Sequence, residues 1–205
     1  MKNLKDFVLR ENDIERNGHV YCKSCGKRVD GELVDLGFTK FIPRIKCECE
    51  IKRDKENEER ERLMKISSLK RDCFSSPLQH QYIFEKYLNE KGQAYKVAYN
   101  YAKSFEQMKK DNIGLLFYGD VGSGKTYLAC SIANELIERK QVKVKIMNLS
   151  QVINQIQKSA FRLDSNEIIS NLSNIPLLIL DDLGIERDTS YAKEQVYNII
   201  NSRYL

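Results

Sequence analysis

No apolar run in the 205-residue chain approaches the roughly 18 residues of a membrane span. The start, Met1-Lys2-Asn3-Leu4-Lys5-Asp6, lacks the apolar core of a secretory signal. Together these absences predict a soluble, cytoplasmic protein with no membrane partner. Nor is there a large excess of one charge. Lys and Arg number 34 against 29 Asp and Glu, a formal +5, which permits nucleic-acid contact without demanding it. In a reducing compartment the six cysteines are expected to stay reduced, so a clustered subset reads as metal ligands rather than disulfides.

Long apolar stretches are scarce in residues 1–50, which hold four of the cysteines. So small a segment needs a staple to fold. A short strand-like stretch, Gly31-Glu32-Leu33-Val34-Asp35-Leu36-Gly37, lies between the cysteine pairs. Residues 51–68 begin with Ile51 to Leu63, almost wholly charged, with opposite charges three and four apart. This is the pattern of an exposed helical linker. Residues 69–205 then carry an α/β pattern. Leu69 to Tyr87 mixes aromatics with a Ser-Ser-Pro break and reads as irregular packing.

Ala94, Val97, Ala98, Tyr101, Ala102 and Phe105 form one helical stripe. Ile113 to Tyr118 is an apolar run of strand length ending at a glycine, expected as a parallel strand buried on both faces. Leu128, Ala129, Ile132, Ala133, Leu136 and Ile137 repeat with helical spacing, and Val142 to Met147 alternates as a strand. Ser150 can cap a helix through Val152, Ile153 and Ile156. Pro176 to Leu180 is a third strand, and a last helix from about Ser190 places Ala192, Val196, Ile199 and Ile200 on one side. Strands alternating with helices imply a parallel sheet flanked by helices.

Between the first of these strands and its helix lies Gly119-Asp120-Val121-Gly122-Ser123-Gly124-Lys125-Thr126, which fits the P-loop pattern at every fixed position. Backbone N–H groups and the helix N-terminus would face the phosphates, Lys125 would add a charge between the outer ones, and the Thr126 hydroxyl would ligate magnesium. With Tyr127 these residues are the predicted nucleotide-binding stretch. Asp181 closes the third strand and is placed to reach the magnesium. Asp182 beside it can polarise an attacking water, so Lys125, Asp181 and Asp182 are the predicted catalytic set. The Asn-Lys-x-Asp element of guanine-specific P-loop proteins is missing, which favours ATP. Phe74 to Tyr101 is the segment expected to meet the adenine.

Cys22-x2-Cys25 and Cys47-x-Cys49 are two short-range pairs with the spacing of a tetrahedral zinc site. Gly26 suits the tight turn after the first pair. His19 stands as an alternative ligand for one cysteine, because the Cys-x-Cys pair is the less standard of the two. Cys73 and Cys130 read as packed small hydrophobes.

A cysteine-rich head, a charged linker and a core with Gly-Asp-Val-Gly-Ser-Gly-Lys-Thr and Leu-Ile-Leu-Asp-Asp-Leu-Gly resemble bacterial and phage helicase loaders of the DnaC/DnaI type, of the AAA+ class. Tyr95 to Phe105 resembles the helix before the P-loop in that family, and Tyr197 to Tyr204 the helix after the Asp-Asp strand. The resemblance implies an ATPase in which the zinc head grips a replicative hexameric helicase. It also implies that the core self-associates and touches single-stranded DNA, with Phe161-Arg162 as a contact candidate. In the family a sensor strand, a trans-acting arginine and a final strand follow the last helix. The chain stops at Leu205, so the core is expected to be C-terminally incomplete and turnover is less supported than nucleotide binding. Arg203 reads as a surface or packing residue ahead of an arginine finger. Two other readings stay open: an IstB-type transposition helper ATPase, and a non-hydrolysing interaction module acting through zinc.

Overall fold

A computed structural model describes residues 7–89, 92–160, 165–183 and 190–203. The chain divides into two compact units, Met1–Leu63 and Met64–Leu205, and the division falls inside α1 (Glu48–Cys73).

In the N-terminal unit β1 (Asp13–Arg16) and β2 (His19–Cys22) pair antiparallel, with Asp13 opposite Cys22 and Arg16 opposite His19. Asn17 and Gly18 make the turn at φ 51° and 74°. Two consecutive positive φ angles are what a tight hairpin with native twist requires, and Asn-Gly supplies them at least cost. The strand-like stretch after Gly31 contributes only β3 (Val34–Asp35), paired with β4 (Lys40–Phe41). The unit's buried cluster is Phe7, Val20, Cys22, Val29, Ile42 and Cys47.

Around that cluster run buried ion pairs. Arg44 donates to both oxygens of Asp13 at 2.7 and 2.8 Å and to Glu50, while Asp30, 1% exposed, accepts from Arg28, His19 and the Val20 N–H. Burial pushes the Asp30 carboxyl up, but the Arg28 and His19 donors outweigh it and hold the group well below the usual carboxylate range.

In the C-terminal unit the last turns of α1 bring Ile66 and Leu69 onto an apolar cluster, where the charged pattern gives way. Two 3-10 turns follow, Pro77–Gln81 and Phe84–Lys86, in the stretch expected to be irregular. Asn134 of α4 (Lys125–Lys140) donates to the carbonyls of Gln79 and Tyr82 and so pins this stretch to the helix. The stripe from Ala94 to Phe105 is split between α2 (Gln93–Lys103) and α3 (Phe105–Lys110), with Ala98, Tyr101, Ala102 and Phe105 buried.

Strands β5 (Val144–Asn148) and β6 (Leu177–Asp181) pair parallel, Asn148 beside Asp181. Leu177 and Ile179 face the cluster of α2, α3 and α4, whereas Leu178 and Leu180 face that of α5 (Leu149–Ala160), α6 (Ser165–Ser173) and α7 (Ser190–Asn201). Helices on both faces explain why β6 is apolar from Leu177 to Leu180. The fold is thus α/β, a parallel sheet flanked by helices, as the alternating pattern implied.

Four expectations change. Ile113 to Tyr118 forms no strand, because among the described residues no strand pairs with it. Leu115 and Phe117 still pack on the core, while Leu116 and Tyr118 are 73% and 89% exposed. The cap of α5 is Asn148, whose side-chain oxygen accepts from the Ser150 N–H at 3.0 Å, and Ser150 itself lies inside the helix. α6 appears where no helix was expected. On α7, Ile199 is buried and Ile200 exposed, since adjacent helical positions point about 100° apart; the Ala192 side chain lies outside the described residues.

Candidate functional site

The nucleotide motif lies wholly in the C-terminal unit. Gly119, Gly122 and Gly124 take φ 136°, 82° and 88°, values that side chains with a Cβ rarely adopt. The loop turns on them into the first turn of α4. A Cβ on Gly124 would also lie 2.8 Å from the Tyr87 hydroxyl. Lys125 folds back to donate to the carbonyls of Gly119 and Asp120 at 2.9 and 2.8 Å, and among the described residues it pairs with no carboxylate.

The parallel register then does the remaining work. Asp181 ends β6 and accepts from the Thr126 hydroxyl at 3.2 Å and from the Asp182 N–H at 3.1 Å. Asp182 takes φ 58°, a left-handed conformation that Asp tolerates better than most residues. Asn148, at the end of the neighbouring strand, donates to it at 2.6 Å. One side chain therefore caps α5 with its oxygen and holds Asp182 with its nitrogen. Sequence reading missed Asn148, since only the strand register brings it to Asp182.

Thr126 and Asp181 present hard oxygen ligands at one point beside the loop lysine, a donor set that fits magnesium held on a nucleotide phosphate. Tyr127 turns outward from this point. Its hydroxyl donates to the Ile83 carbonyl at 3.1 Å and its ring stacks on Tyr82 with centroids 4.7 Å apart. Tyr87 leans on Tyr127 and stacks on Tyr95, which stacks on Tyr99. An aromatic wall thus starts at the loop, inside the segment expected to meet adenine.

The second set lies in the N-terminal unit. The Sγ atoms of Cys22, Cys25, Cys47 and Cys49 all lie within 4.8 Å of one another. Gly26 takes φ 67° and donates to the Cys22 carbonyl at 2.8 Å, closing the first turn. Glu50 accepts from the Cys47 N–H at 3.3 Å, holding the second pair at the start of α1. The Cys25 N–H holds the Cys22 thiol down, against burial and with the Ser24 N–H, at about 7. Four thiols so gathered suit a tetrahedral zinc ion. His19 is engaged elsewhere, 2.9 Å from Asp30.

Cys73 and Cys130 are buried in the apolar core, and burial pushes both thiols up to about 12. Arg203 donates to the carbonyls of Leu172, Ser173 and Ile175, closing the end of α6, which is the packing role expected of it. Phe161, Arg162, Gly184 and Tyr204 lie outside the described residues.

The fold and site define a P-loop nucleotide-binding domain of the AAA+ kind. A scan against family models matches residues 78–204 to the bacterial DnaA ATPase domain, and the chain belongs to that family. ATPase activity, ATP and magnesium are general properties of such a domain. Among curated proteins, the chain is 27% identical over 173 residues to the replicative helicase loader DnaI of Bacillus subtilis, covering 84% of this chain and 51% of that protein. It is 31% identical over 134 residues to the replicative helicase loader DnaC of Escherichia coli, covering 62% and 52%. An uncharacterized protein, YqaM of Bacillus subtilis, is 31% identical over 120 residues, covering 55% and 37%. The resemblance to the DnaC/DnaI type is thus borne out, and the chain spans about half the length of the two loaders. Among the described residues no helix is long and apolar enough to cross a membrane.

Proposed function

We propose that this chain is the ATP-switched part of a replicative helicase loader acting in the cytoplasm, with residues 1–50 as the zinc-held module that grips the helicase. The observation that carries the reading is the linkage from Thr126 through Asp181 to Asp182 and Asn148. It ties the phosphate loop to the strand end that reads the nucleotide. Lys125 would leave its two carbonyls for the outer phosphates, and Thr126 and Asp181 would hold a magnesium ion that offsets their charge. Asp182, one oxygen held by Asn148, keeps the other to accept a proton from the water that attacks the γ-phosphate. The adenine would stack against Tyr87 and Tyr127, where ordering costs little because the rings already brace one another.

Self-association through the ATPase core and contact with single-stranded DNA complete the proposal, both drawn from the loader resemblance. The four-thiol cluster favours a loader over a transposition helper, which typically lacks such a head. The test is capture of a replicative helicase by the full chain, with and without ATP, alongside Lys125→Ala and Cys22→Ser. The reading predicts that Cys22→Ser abolishes capture and that Lys125→Ala removes its response to ATP. Failure of the unaltered chain to retain any hexameric helicase would overturn it.

A further inference from the structure

Among the described residues, one side chain outside the four thiols donates to a ligand sulfur. Asn12 precedes β1, and the pairing of Asp13 with Cys22 places it beside the first cysteine turn. The ladder continues one step further, since the Lys23 N–H donates to the Asn12 carbonyl at 2.9 Å. The Asn12 backbone is therefore fixed before its side chain is considered. That side chain then donates through Nδ2 to the Cys22 sulfur at 3.3 Å and to the Ser24 hydroxyl at 3.0 Å. The Ser24 hydroxyl lies 3.3 Å from Asn12 Oδ1, so it also braces the amide. The opposite amide orientation would set an oxygen against the sulfur.

Four thiolates place more negative charge on one site than a divalent cation cancels, and every N–H donor on a sulfur offsets part of the excess. A thiolate held in this way is a poorer target for competing chelators, so it would stay on the metal longer.

We propose that Asn12 is a positioning residue for the metal: its amide, donating to the Cys22 sulfur, governs how long the four-thiol site retains zinc. The proposal rests on the zinc reading of Cys22, Cys25, Cys47 and Cys49. It takes Asn12 beyond a turn-forming role, because any side chain at this position keeps the Lys23-to-Asn12 backbone bond.

The test uses the full chain with Asn12→Ala, which removes the donor, and Asn12→Asp, which replaces it by an acceptor of nearly the same shape. Zinc release to an excess of a chromogenic chelator is timed, and the thiolate-to-metal charge-transfer band is recorded after cobalt substitution. Asn12→Ala is expected to release zinc roughly tenfold faster, within the range typical for lost outer partners of a metal site, and Asn12→Asp faster still. The cobalt band should shift in both. Release at the unaltered rate, or equal acceleration in both variants with an unmoved band, would overturn the proposal and leave Asn12 a turn residue. Absence of zinc from the unaltered chain would instead remove the metal reading itself.

Discussion

The buried cluster of the N-terminal unit sets two thiols, Cys22 and Cys47, beside Phe7, Val20, Val29 and Ile42, whereas the C-terminal unit buries Phe84, Phe105, Leu128, Leu136 and Ile137 together in one of its clusters. The first unit surrounds its few apolar residues with Asp13, Arg44, Glu50, Arg28 and Asp30. The second uses a parallel strand pair with helices on both faces. The first arrangement depends on charges and thiols meeting at fixed points, and so it is expected to respond to metal and protons. The second depends on apolar area, which is insensitive to both.

Removing the metal should separate the two most sharply. Zinc binding is worth about 10–16 kcal/mol in small zinc-held peptides, more than the N-terminal unit's cluster could supply. Cys47→Ser, or exhaustive chelation, is expected to erase the amide signals of β1 and β2 in NMR spectra while those of α4 persist. Survival of both sets would break the comparison.

The converse variant is Phe84→Ala. Phe84 is 1% exposed and meets Tyr95 and Tyr99 edge-on. Truncation should cost about 3–5 kcal/mol, read as an earlier denaturation of the C-terminal unit with zinc content unchanged.

Acid gives the smallest and most graded effect. Asp13, Asp30 and Glu50 are all held below their ordinary values, Asp13 chiefly by the Arg44 guanidinium, and Asp30 and Glu50 by arginine donors that outweigh burial. Depressed carboxylates stabilise the fold above the unfolded value near 4 and lose that contribution as the pH falls through their folded values. Proton competition for the thiolates acts in the same direction. Amide protection in the N-terminal unit, corrected for the intrinsic pH dependence of exchange, should therefore fall below about pH 4–5 before that of α4 does.

The parts legible in sequence were those set by spacing along the chain. Gly119 to Thr126, Asp181-Asp182 and the two cysteine pairs each bring their ligands together within one turn, so the pattern is nearly the geometry. The Asn17-Gly18 turn carried an equally local signal that reading for chemistry passed over. Asn148 had none, because its partner Asp182 is 34 positions away and only the β5–β6 register joins them. The Asp13–Arg44 pair is hidden for the same reason, across 31 positions. Ile113 to Tyr118 shows the limit from the other side: composition can propose a strand, but only a paired neighbour makes one.

Gly119 to Thr126, with Asp181, is proposed as a working nucleotide site, and calorimetric titration of the full chain with magnesium and ATP checks that proposal. It predicts saturable binding of about one nucleotide per chain. In Lys125→Ala, losing a charge-assisted contact worth about 1.5–3 kcal/mol, affinity should fall roughly 10- to 100-fold. Equal heats from the two proteins, or none from either, would contradict it.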